Sequence, residues 1–318
     1  ARTFEDLVYA GEQHEDAIVT HGGRPYVFRC FDKDDPPSPR PYSVLELLYD
    51  PARDVFLDPE GVYPDLRLST LMPRGSASAL LRLAEAAKLV SRYHYEASAQ
   101  SLGLEGPFAQ PGEGFQRDLL LAVLDGLKPH KGLALLYECG FISAFWPELE
   151  KMSAIPHVKD FHPEGDGWEH TLETFKHRKG TNPVLSLALL LHDVGKPDSP
   201  GTQERPYDRH AELGADIAGS FLRRLGFPAS VIQEVAFLIR YHMLPAALGK
   251  LPLYRCGKIM DSPLFPHLLE LYRADLCASY GSPESYYQAC QVYRNYLKNK
   301  ANPFRRRDGS KQRWKSLA

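Results

Sequence analysis

The amino-acid sequence predicts a mainly α-helical protein that begins with a small α+β region. From residue 77 onward, helix-forming residues carry apolar side chains at helical spacing, as in ASALLRLAEAAKLVSRY. Before that point, short strand-like pieces such as PYVFRCF alternate with proline-rich connectors such as DDPPSPRP. This change in the sequence pattern predicts a small α+β unit followed by helices.

Composition describes an ordinary globular chain. Its 318 residues are 43% hydrophobic and 25% charged, and 38 basic residues nearly balance 40 acidic ones, so the overall charge names no partner. The apolar runs are shorter than the eighteen or so residues that span a bilayer, and the first residues lack a signal-peptide pattern. The five cysteines form no C-x-x-C pair. We expect a cytoplasmic protein without a membrane partner, and the oligomeric state stays open.

Two helical groups follow the α+β region. The first includes a pair of helices at residues 114–127 and 130–138, which ends at Cys139-Gly140. The second starts near Trp168 and continues as helix after helix, separated by breakers such as Asn182-Pro183 and Phe227-Pro228.

The stretch LALLLHDVGKPDSP, at residues 187–200, is the most informative of the chain. We predict a helix with Asn182 as N-cap, Pro183 in its first turn and Gly195 as a left-handed C-cap. Its residues are apolar on every side, which is typical of a buried helix. His192 and Asp193 therefore reach the interior at a helix C-terminus, where a cation offsets both the buried carboxylate and the negative helix end.

Similar polar residues recur at the ends or inner faces of other predicted helices. Asp275 shares a face with Leu271 and Leu268, and a capping box of Ser230 and Gln233 is expected to start the helix that ends near His242. The candidate metal ligands are His170, His192, Asp193, His210, His242 and Asp275. Mixed imidazole and carboxylate ligands favour one or two divalent ions of Mn, Fe, Co, Ni or Zn, with Mg as a further candidate.

This order of residues resembles that of the HD-domain metal-dependent phosphohydrolases. The segment DFHPEGDGWEHTL, at residues 160–172, is similar to the HD domain of bacterial tRNA nucleotidyltransferases and poly(A) polymerases. Upstream, YSVLELLYDP and FLDPEG resemble the end of that family's catalytic head. The resemblance implies a degenerate or partial nucleotidyltransferase-like head at 1–68, a helical neck at 69–155, an all-α HD domain at 156–297 and a basic tail at 298–318.

What the resemblance implies for function is hydrolysis of a phosphoester in a nucleotide or at an RNA 3′ end. Asp193 would orient the attacking water and Lys196 would steady the substrate. The residues by themselves indicate only a phosphoester. The expected partner is therefore a nucleotide or a tRNA-like RNA, and no DNA partner is expected.

Two alternatives stay open. A tRNA nucleotidyltransferase needs an Asp-x-Asp pair for two magnesium ions, but Asp32-Lys33-Asp34 lies in a proline-rich connector and Arg82 is the one remaining candidate for gripping a nucleotide. A noncatalytic RNA-binding protein would depend on the C-terminal basic residues. There Arg305, Arg306 and Arg307 are candidate RNA contacts, although the composition favours a solvated tail over an RNA-binding one.

Overall fold

The structure is a computed structural model. It describes residues 7–10, 16–21, 24–29, 40–50, 52–93, 95–155, 166–200, 207–279 and 282–311. Asp32 and Asp34, the linker at 156–165 and the tail at 312–318 lie outside the described residues.

The mixed α+β region expected at the N-terminus is confirmed. Its strands β1 (Leu7–Ala10), β2 (Asp16–His21) and β3 (Arg24–Arg29) pair antiparallel in the order β1-β2-β3. A hairpin of β4 (Leu48–Asp50) and β5 (Val55–Leu57) precedes helix α1 (Tyr63–Leu68). Asp58 accepts hydrogen bonds from the backbone N–H groups of Val62 and Tyr63, which fixes the start of α1.

We call the region from β1 to α1 the head, and the group of helices that follows it, α2 to α7, the neck. Its elements are α2 (Ala79–Arg92), α3 (Ala99–Leu102), α4 (Glu113–Leu124), α5 (Pro129–Glu138), α6 (Phe141–Phe145) and α7 (Pro147–Glu150). Helices α2 and α5 pack closely because Gly132 has no Cβ; such an atom would lie 2.6 Å from the carbonyl oxygen of Ala87. Buried leucines such as Leu83, Leu120 and Leu136 fill the space between these helices.

The remaining helices form the all-α unit that carries the candidate site. They are α8 (Gly167–Lys176), α9 (Pro183–Leu191), α10 (His210–Arg224), α11 (Ala229–Tyr241), α12 (Leu244–Ala247), α13 (Leu253–Met260), α14 (Phe265–Ser279) and α15 (Glu284–Ala301). None of the helices in the described ranges is long and apolar enough to cross a membrane.

Arg178 joins this unit to the neck. Its guanidinium donates to the carbonyl oxygen of Leu124 at the end of α4, to that of Gly126 just beyond it, and to the hydroxyl of Ser186 on α9, each at 2.6 Å. Because burial lowers the pKa of Arg178, these three acceptors are needed to hold the charge inside. Helix α9 is thus fixed against the neck near its N-terminus.

Three local expectations are wrong. Gly195 is absent from the positive-φ glycines; the helix stops at Leu191 and a turn follows. Helix α11 starts after Pro228 with no side-chain cap, so Ser230 and Gln233 form no capping box. Helix α15 continues through Lys298 to Ala301, so the expected start of the tail falls inside a helix. A proline sets the start of α11, and tertiary packing sets the end of α15, so local polar residues decide neither boundary.

Candidate metal centre

Helix α9 brings His192 and Asp193 into the interior. The Asn182 side chain accepts the Leu185 N–H and caps its start as expected, and all residues from Leu185 to Leu191 are buried. His192 and Asp193 follow directly and are only 1% and 2% exposed. The apolar helix therefore anchors two polar side chains at a depth where each needs a partner.

Three side chains from three helices form the first ligand set. His170 of α8, His192 at the end of α9 and Asp275 of α14 each place one ligand atom within 4.8 Å of the others. His170 Nε2 lies 3.1 Å from Asp275 Oδ1, and His192 Nε2 lies 4.0 Å from the same oxygen. Asp275 remains 21% exposed, so this set borders the surface.

Asp193, His210 and His242 form the second set. The Nε2 atoms of His210 and His242 are 3.8 and 4.0 Å from Asp193 Oδ1 and 3.2 Å from each other. The other oxygen of Asp193 faces the first set, since Oδ2 is 3.3 Å from His192 Nε2 and 3.8 Å from His170 Nε2. One carboxylate therefore stands between the two sets with one oxygen turned to each.

Backbone carbonyls orient three of the four imidazoles. His192 Nδ1 donates to the Leu189 carbonyl at 2.9 Å, His210 Nδ1 to the Tyr207 carbonyl at 2.7 Å and His242 Nδ1 to the Ile239 carbonyl at 2.7 Å. A carbonyl oxygen can only accept, so Nδ1 of each ring carries the hydrogen that it donates, and Nε2 is the nitrogen that faces the centre. This is the arrangement by which outer hydrogen bonds prepare histidine as a metal ligand.

The charges at the centre favour deprotonated ligands. Burial alone would raise the pKa of Asp193, but the adjacent His192 and Lys196 outweigh it and hold that pKa well below its usual range. Burial is likewise outweighed at Asp275, where the hydrogen bond to His170 keeps the carboxyl pKa low. Burial, together with the neighbouring His192, lowers the pKa of His242 to about 4. Both carboxylates are thus ionised and the His242 ring is neutral at pH 7.

The donor set fits a divalent cation. His192 Nε2 is buried and has no hydrogen-bond partner, although its neighbours include two carboxylates. The lone pairs of His210 and His242 face each other across 3.2 Å, and a proton on one ring nitrogen or a shared cation is needed to relieve their repulsion. Mixed nitrogen and oxygen atoms at this spacing suit Mn, Fe, Co, Ni or Zn better than Mg.

Lys196 lies beside the centre. Its ammonium is 2.6 Å from Asp193 Oδ2, and the ring of Tyr207 lies 5.4 Å from the ammonium. Burial would lower the pKa of Lys196, but the adjacent Asp193 carboxylate outweighs it and raises that pKa, so the side chain is cationic. It supplies a positive charge at the edge of the two sets.

The remaining candidates lie elsewhere or pair differently. Arg273 binds Glu270 and the His177 carbonyl, so Asp275 is not held by its arginine neighbour. Arg82 donates to the Leu102 carbonyl and is used in packing. Of the C-terminal arginines, Arg307 pairs with Asp261, Arg305 donates to the Gly309 carbonyl and Arg306 is exposed, and none of them belongs to either ligand set.

Sequence reasoning missed one contact that shapes the site. A Cβ at Gly195 would lie 2.2 Å from the His210 carbonyl and 2.5 Å from the Gly214 nitrogen, so the turn after Asp193 touches the backbone of α10. This contact sets the spacing between Asp193 and His210. The sequence carries no local signal for this contact, because Gly195 and Gly214 lie on different elements and meet only in the folded chain.

Residues 167–262 match the family model for the HD domain. The match includes His170, His192, Asp193, His210 and His242, and Asp275 follows it. This confirms the HD domain expected from the sequence.

Curated relatives match a larger part of the chain. A "Multifunctional CCA protein" of Neisseria gonorrhoeae (strain NCCP11945) is 29% identical over 210 residues, which is 61% of this chain and 50% of that protein. A "CC-adding tRNA nucleotidyltransferase" of Thermus thermophilus is 32% identical over 203 residues, or 61% and 46% of the two chains. A "Multifunctional CCA protein" of Nitrosococcus oceani is 25% identical over 212 residues, or 63% and 52%. The chain spans about half the length of the curated relatives it matches.

Proposed function

We propose that this protein is a metal-dependent phosphohydrolase whose reaction takes place at the two ligand sets around Asp193. The observation that carries the proposal is that six ligand side chains lie together in two sets, with the buried carboxylate of Asp193 between them. His170, His192 and Asp275 would hold one divalent ion, and Asp193, His210 and His242 would contribute to a second. Bound ions would neutralise charge on phosphoryl oxygens and acidify water.

Asp193 and Lys196 have the roles nearest to the reacting atoms in this proposal. The Asp193 carboxylate accepts a hydrogen bond from the attacking water and orients its lone pair toward phosphorus. The Lys196 ammonium, held 2.6 Å from Asp193, binds a phosphoryl oxygen as negative charge builds up there. A buried cation is effective in this role because little water screens it.

The substrate class follows from charge and access. Asp275, His210 and Lys196 are the more exposed members of the group, with side chains 21%, 12% and 11% exposed, so a substrate phosphate approaches past them. We propose a phosphoester of a nucleotide or of an RNA 3′ end, including a 2′,3′-cyclic phosphate. The similarity to proteins named for tRNA nucleotidyl transfer supports RNA over other phosphoesters.

The test combines metal analysis with a hydrolysis screen. The purified full chain is analysed for bound metals and incubated with nucleoside 2′,3′-cyclic phosphates and 3′-phosphorylated RNA under Mn, Co, Ni and Mg. We expect retained transition metal and hydrolysis. His192→Ala should lower both metal content and rate, the latter by about 10²-fold or more, since even outer-shell residues of metal sites contribute 10- to 100-fold.

His177→Ala is the matched control. His177 has a 34% exposed side chain near Glu173 and lies outside both ligand sets, so its loss should leave metal content and rate unchanged. If the wild-type chain holds no transition metal and cleaves no phosphoester, the hydrolase proposal is wrong.

The second candidate is nucleotidyl transfer to tRNA, which the names of the relatives favour. It requires paired carboxylates for magnesium in the head, and its sequence candidates Asp32 and Asp34 lie outside the described residues. Incubation with labelled ATP or CTP, tRNA and magnesium tests it directly. Extension of the tRNA 3′ end would support this candidate, and absence of extension would remove it.

A further inference from the structure

The ammonium of Lys196 lies beside both a carboxylate and an aromatic ring. It donates to Asp193 Oδ2 at 2.6 Å, and it lies over the face of the Tyr207 ring, 5.4 Å from the ring centre. Asp193 belongs to the metal centre, whereas Tyr207 is no ligand and lies in the chain between α9 and α10. The ring therefore contacts Lys196 from outside the metal centre.

A lysine side chain needs more than one contact to stay in one position. Its four-carbon stem is flexible, and fixing it costs conformational entropy. A single hydrogen bond to Asp193 allows the ammonium to move around that oxygen. The face of an aromatic ring attracts a cation, and this attraction is stronger where little water competes for the charge. The Lys196 side chain is only 11% exposed, so the contact with the Tyr207 ring restricts it effectively.

The backbone of Tyr207 acts on the other side of the same carboxylate. Its carbonyl accepts the Nδ1–H of His210 at 2.7 Å, and His210 Nε2 lies 3.8 Å from Asp193 Oδ1. Lys196 contacts the other oxygen, Oδ2. Tyr207 therefore orients one group at each oxygen of Asp193, His210 through its carbonyl and Lys196 through its ring.

Contacts and backbone conformation hold the segment that carries Tyr207. The Ser199 hydroxyl, three residues after Lys196, donates to the carbonyl of Asp208. Arg209 has a φ of 61°, in the left-handed region that residues other than glycine rarely adopt. Such a conformation persists only where the surrounding structure determines it. The ring of Tyr207 is thus presented to Lys196 from a fixed backbone.

We propose that Tyr207 is a positioning residue that holds the Lys196 ammonium where it can bind a phosphoryl oxygen. An ammonium has three N–H donors. Asp193 accepts from one, the Tyr207 ring covers a second side, and the remaining direction serves the substrate. The contact with a phosphoryl oxygen rests on the proposed function, whereas the holding of Lys196 by the ring does not.

Substitution separates the two actions of Tyr207. Tyr207→Phe keeps the ring and the carbonyl. Tyr207→Leu keeps the carbonyl and an apolar side chain but removes the ring face, so Lys196 should lose its fixed position while His210 keeps its orientation. We therefore expect both variants to retain the metal content of the wild type, and only Tyr207→Leu to affect Lys196.

The first measurement is NMR of the full chain with isotope-labelled lysine. Protons above the face of an aromatic ring are shifted upfield, so the ε-methylene resonance of Lys196 should lie upfield of the ordinary lysine position. Its loss in Lys196→Met assigns it. Tyr207→Phe should keep the upfield shift and Tyr207→Leu should abolish it. An ordinary position in the wild type, or a shift that survives in Tyr207→Leu, overturns the inference.

The second measurement is hydrolysis of a nucleoside 2′,3′-cyclic phosphate under the best metal of the screen. Tyr207→Leu should lower kcat about tenfold and leave KM unchanged, because the loss of one partly desolvated cation–π contact falls on the transition state. In the Lys196→Met background, Tyr207→Leu should cause no further loss, since the ring acts through the ammonium. Loss of metal from Tyr207→Leu, or the same kcat in Tyr207→Phe and Tyr207→Leu, contradicts the positioning role.

Tyr254→Leu is the matched control. The Arg255 guanidinium lies 5.8 Å from the centre of the Tyr254 ring, but Tyr254 is 78% exposed and outside both ligand sets. Its loss should leave kcat, metal content and the Lys196 resonance unchanged. If the wild-type chain hydrolyses no phosphoester, the proposed function fails, and the lysine resonances by themselves decide whether Tyr207 holds Lys196.

Discussion

The head and the HD unit use the same residue types in opposite ways. In the head, apolar side chains lie outside: Phe56 is 71% exposed and Leu68 is 75% exposed. Its carboxylates, such as Asp58, serve backbone N–H groups. In the HD unit the leucines of α9 are buried and the carboxylate of Asp193 is enclosed with them. A buried polar group that no backbone needs is costly to fold, so its presence points to chemistry.

The largest expected effect comes from making one isosteric change in both regions. Asp193→Asn removes the charge between the two ligand sets and should reduce phosphoester hydrolysis by about 10²-fold or more, since a ligand contributes at least as much as its supporting shell. Asp58→Asn removes the same charge from the head, where only the start of α1 depends on it. We expect the hydrolysis rate of Asp58→Asn to equal that of the wild type.

Steady-state rates under the best metal of the screen check this pair. Circular dichroism of both variants controls for folding. Equal loss of hydrolysis in the two variants would contradict the contrast, because the head would then take part in the reaction.

The second comparison concerns packing. Leu190→Ala removes a fully buried side chain from α9 and should lower the free energy of unfolding by about 2–5 kcal/mol. Leu68→Ala makes the same change at a side chain that is 75% exposed and should stay within about 0.5 kcal/mol of the wild type. Urea denaturation measures both values. A large loss for Leu68→Ala would mean that the apolar surface of the head is covered in solution.

The sequence predicted much of the site because its signals were local. Asn182 and Pro183 marked the start of α9, and its uniform apolar composition indicated burial of the residues that follow it. The order of His and Asp residues along the chain then indicated the six side chains that the structure brings together. Distances between helices leave no such local signal. The sequence around Gly195 does not indicate that Gly214 is its neighbour in space. Likewise, the sequence near Lys298 does not indicate that Tyr296 and Lys300 contact Asp261, and these contacts hold the last turn of α15 in place.

The contact at Gly195 gives the third prediction. A methyl group there would collide with the His210 carbonyl and the Gly214 backbone, so Gly195→Ala should displace α10 and cost about 1–3 kcal/mol of stability. The displacement carries His210 away from Asp193, and we expect the second ligand set to lose its ion while the first keeps its own. Metal analysis should therefore find fewer ions per chain than in the wild type.

Gly249→Ala is the matched control for this change. Gly249 belongs to the same unit, has no positive φ, and has no atom within 4 Å of the position its Cβ would take. Its stability and metal content should stay as in the wild type. Wild-type metal content in Gly195→Ala would show that the spacing of the two sets does not depend on this contact.

The smallest expected effect separates the functional histidine His192 from the structural histidine His130. His130 in the neck, like His192, has a buried ring nitrogen without a hydrogen-bond partner. Burial lowers the pKa of His130, and the nearby Lys176 and Lys131 lower it further. Cations crowd this ring, whereas carboxylates surround His192, so only His192 lies where a metal ion is favoured. A buried histidine nitrogen without a hydrogen-bond partner is therefore not enough to identify a metal ligand.

This difference has a defined pH dependence. A histidine whose pKa is lower in the folded than in the unfolded state binds more protons when unfolded, so folding loses stability as pH falls below the unfolded value of about 6.5. Replacing it with an uncharged residue removes that loss. We therefore expect His130→Gln to lose less stability than the wild type between pH 7 and pH 5, and to match its pH dependence above pH 7. Urea denaturation at pH 5 and at pH 8 measures the difference in the free energy of unfolding between His130→Gln and the wild type. If this difference is the same at pH 5 and pH 8, the surroundings of His130 do not keep its ring neutral. The distinction from His192 would then rest only on the carboxylates around His192.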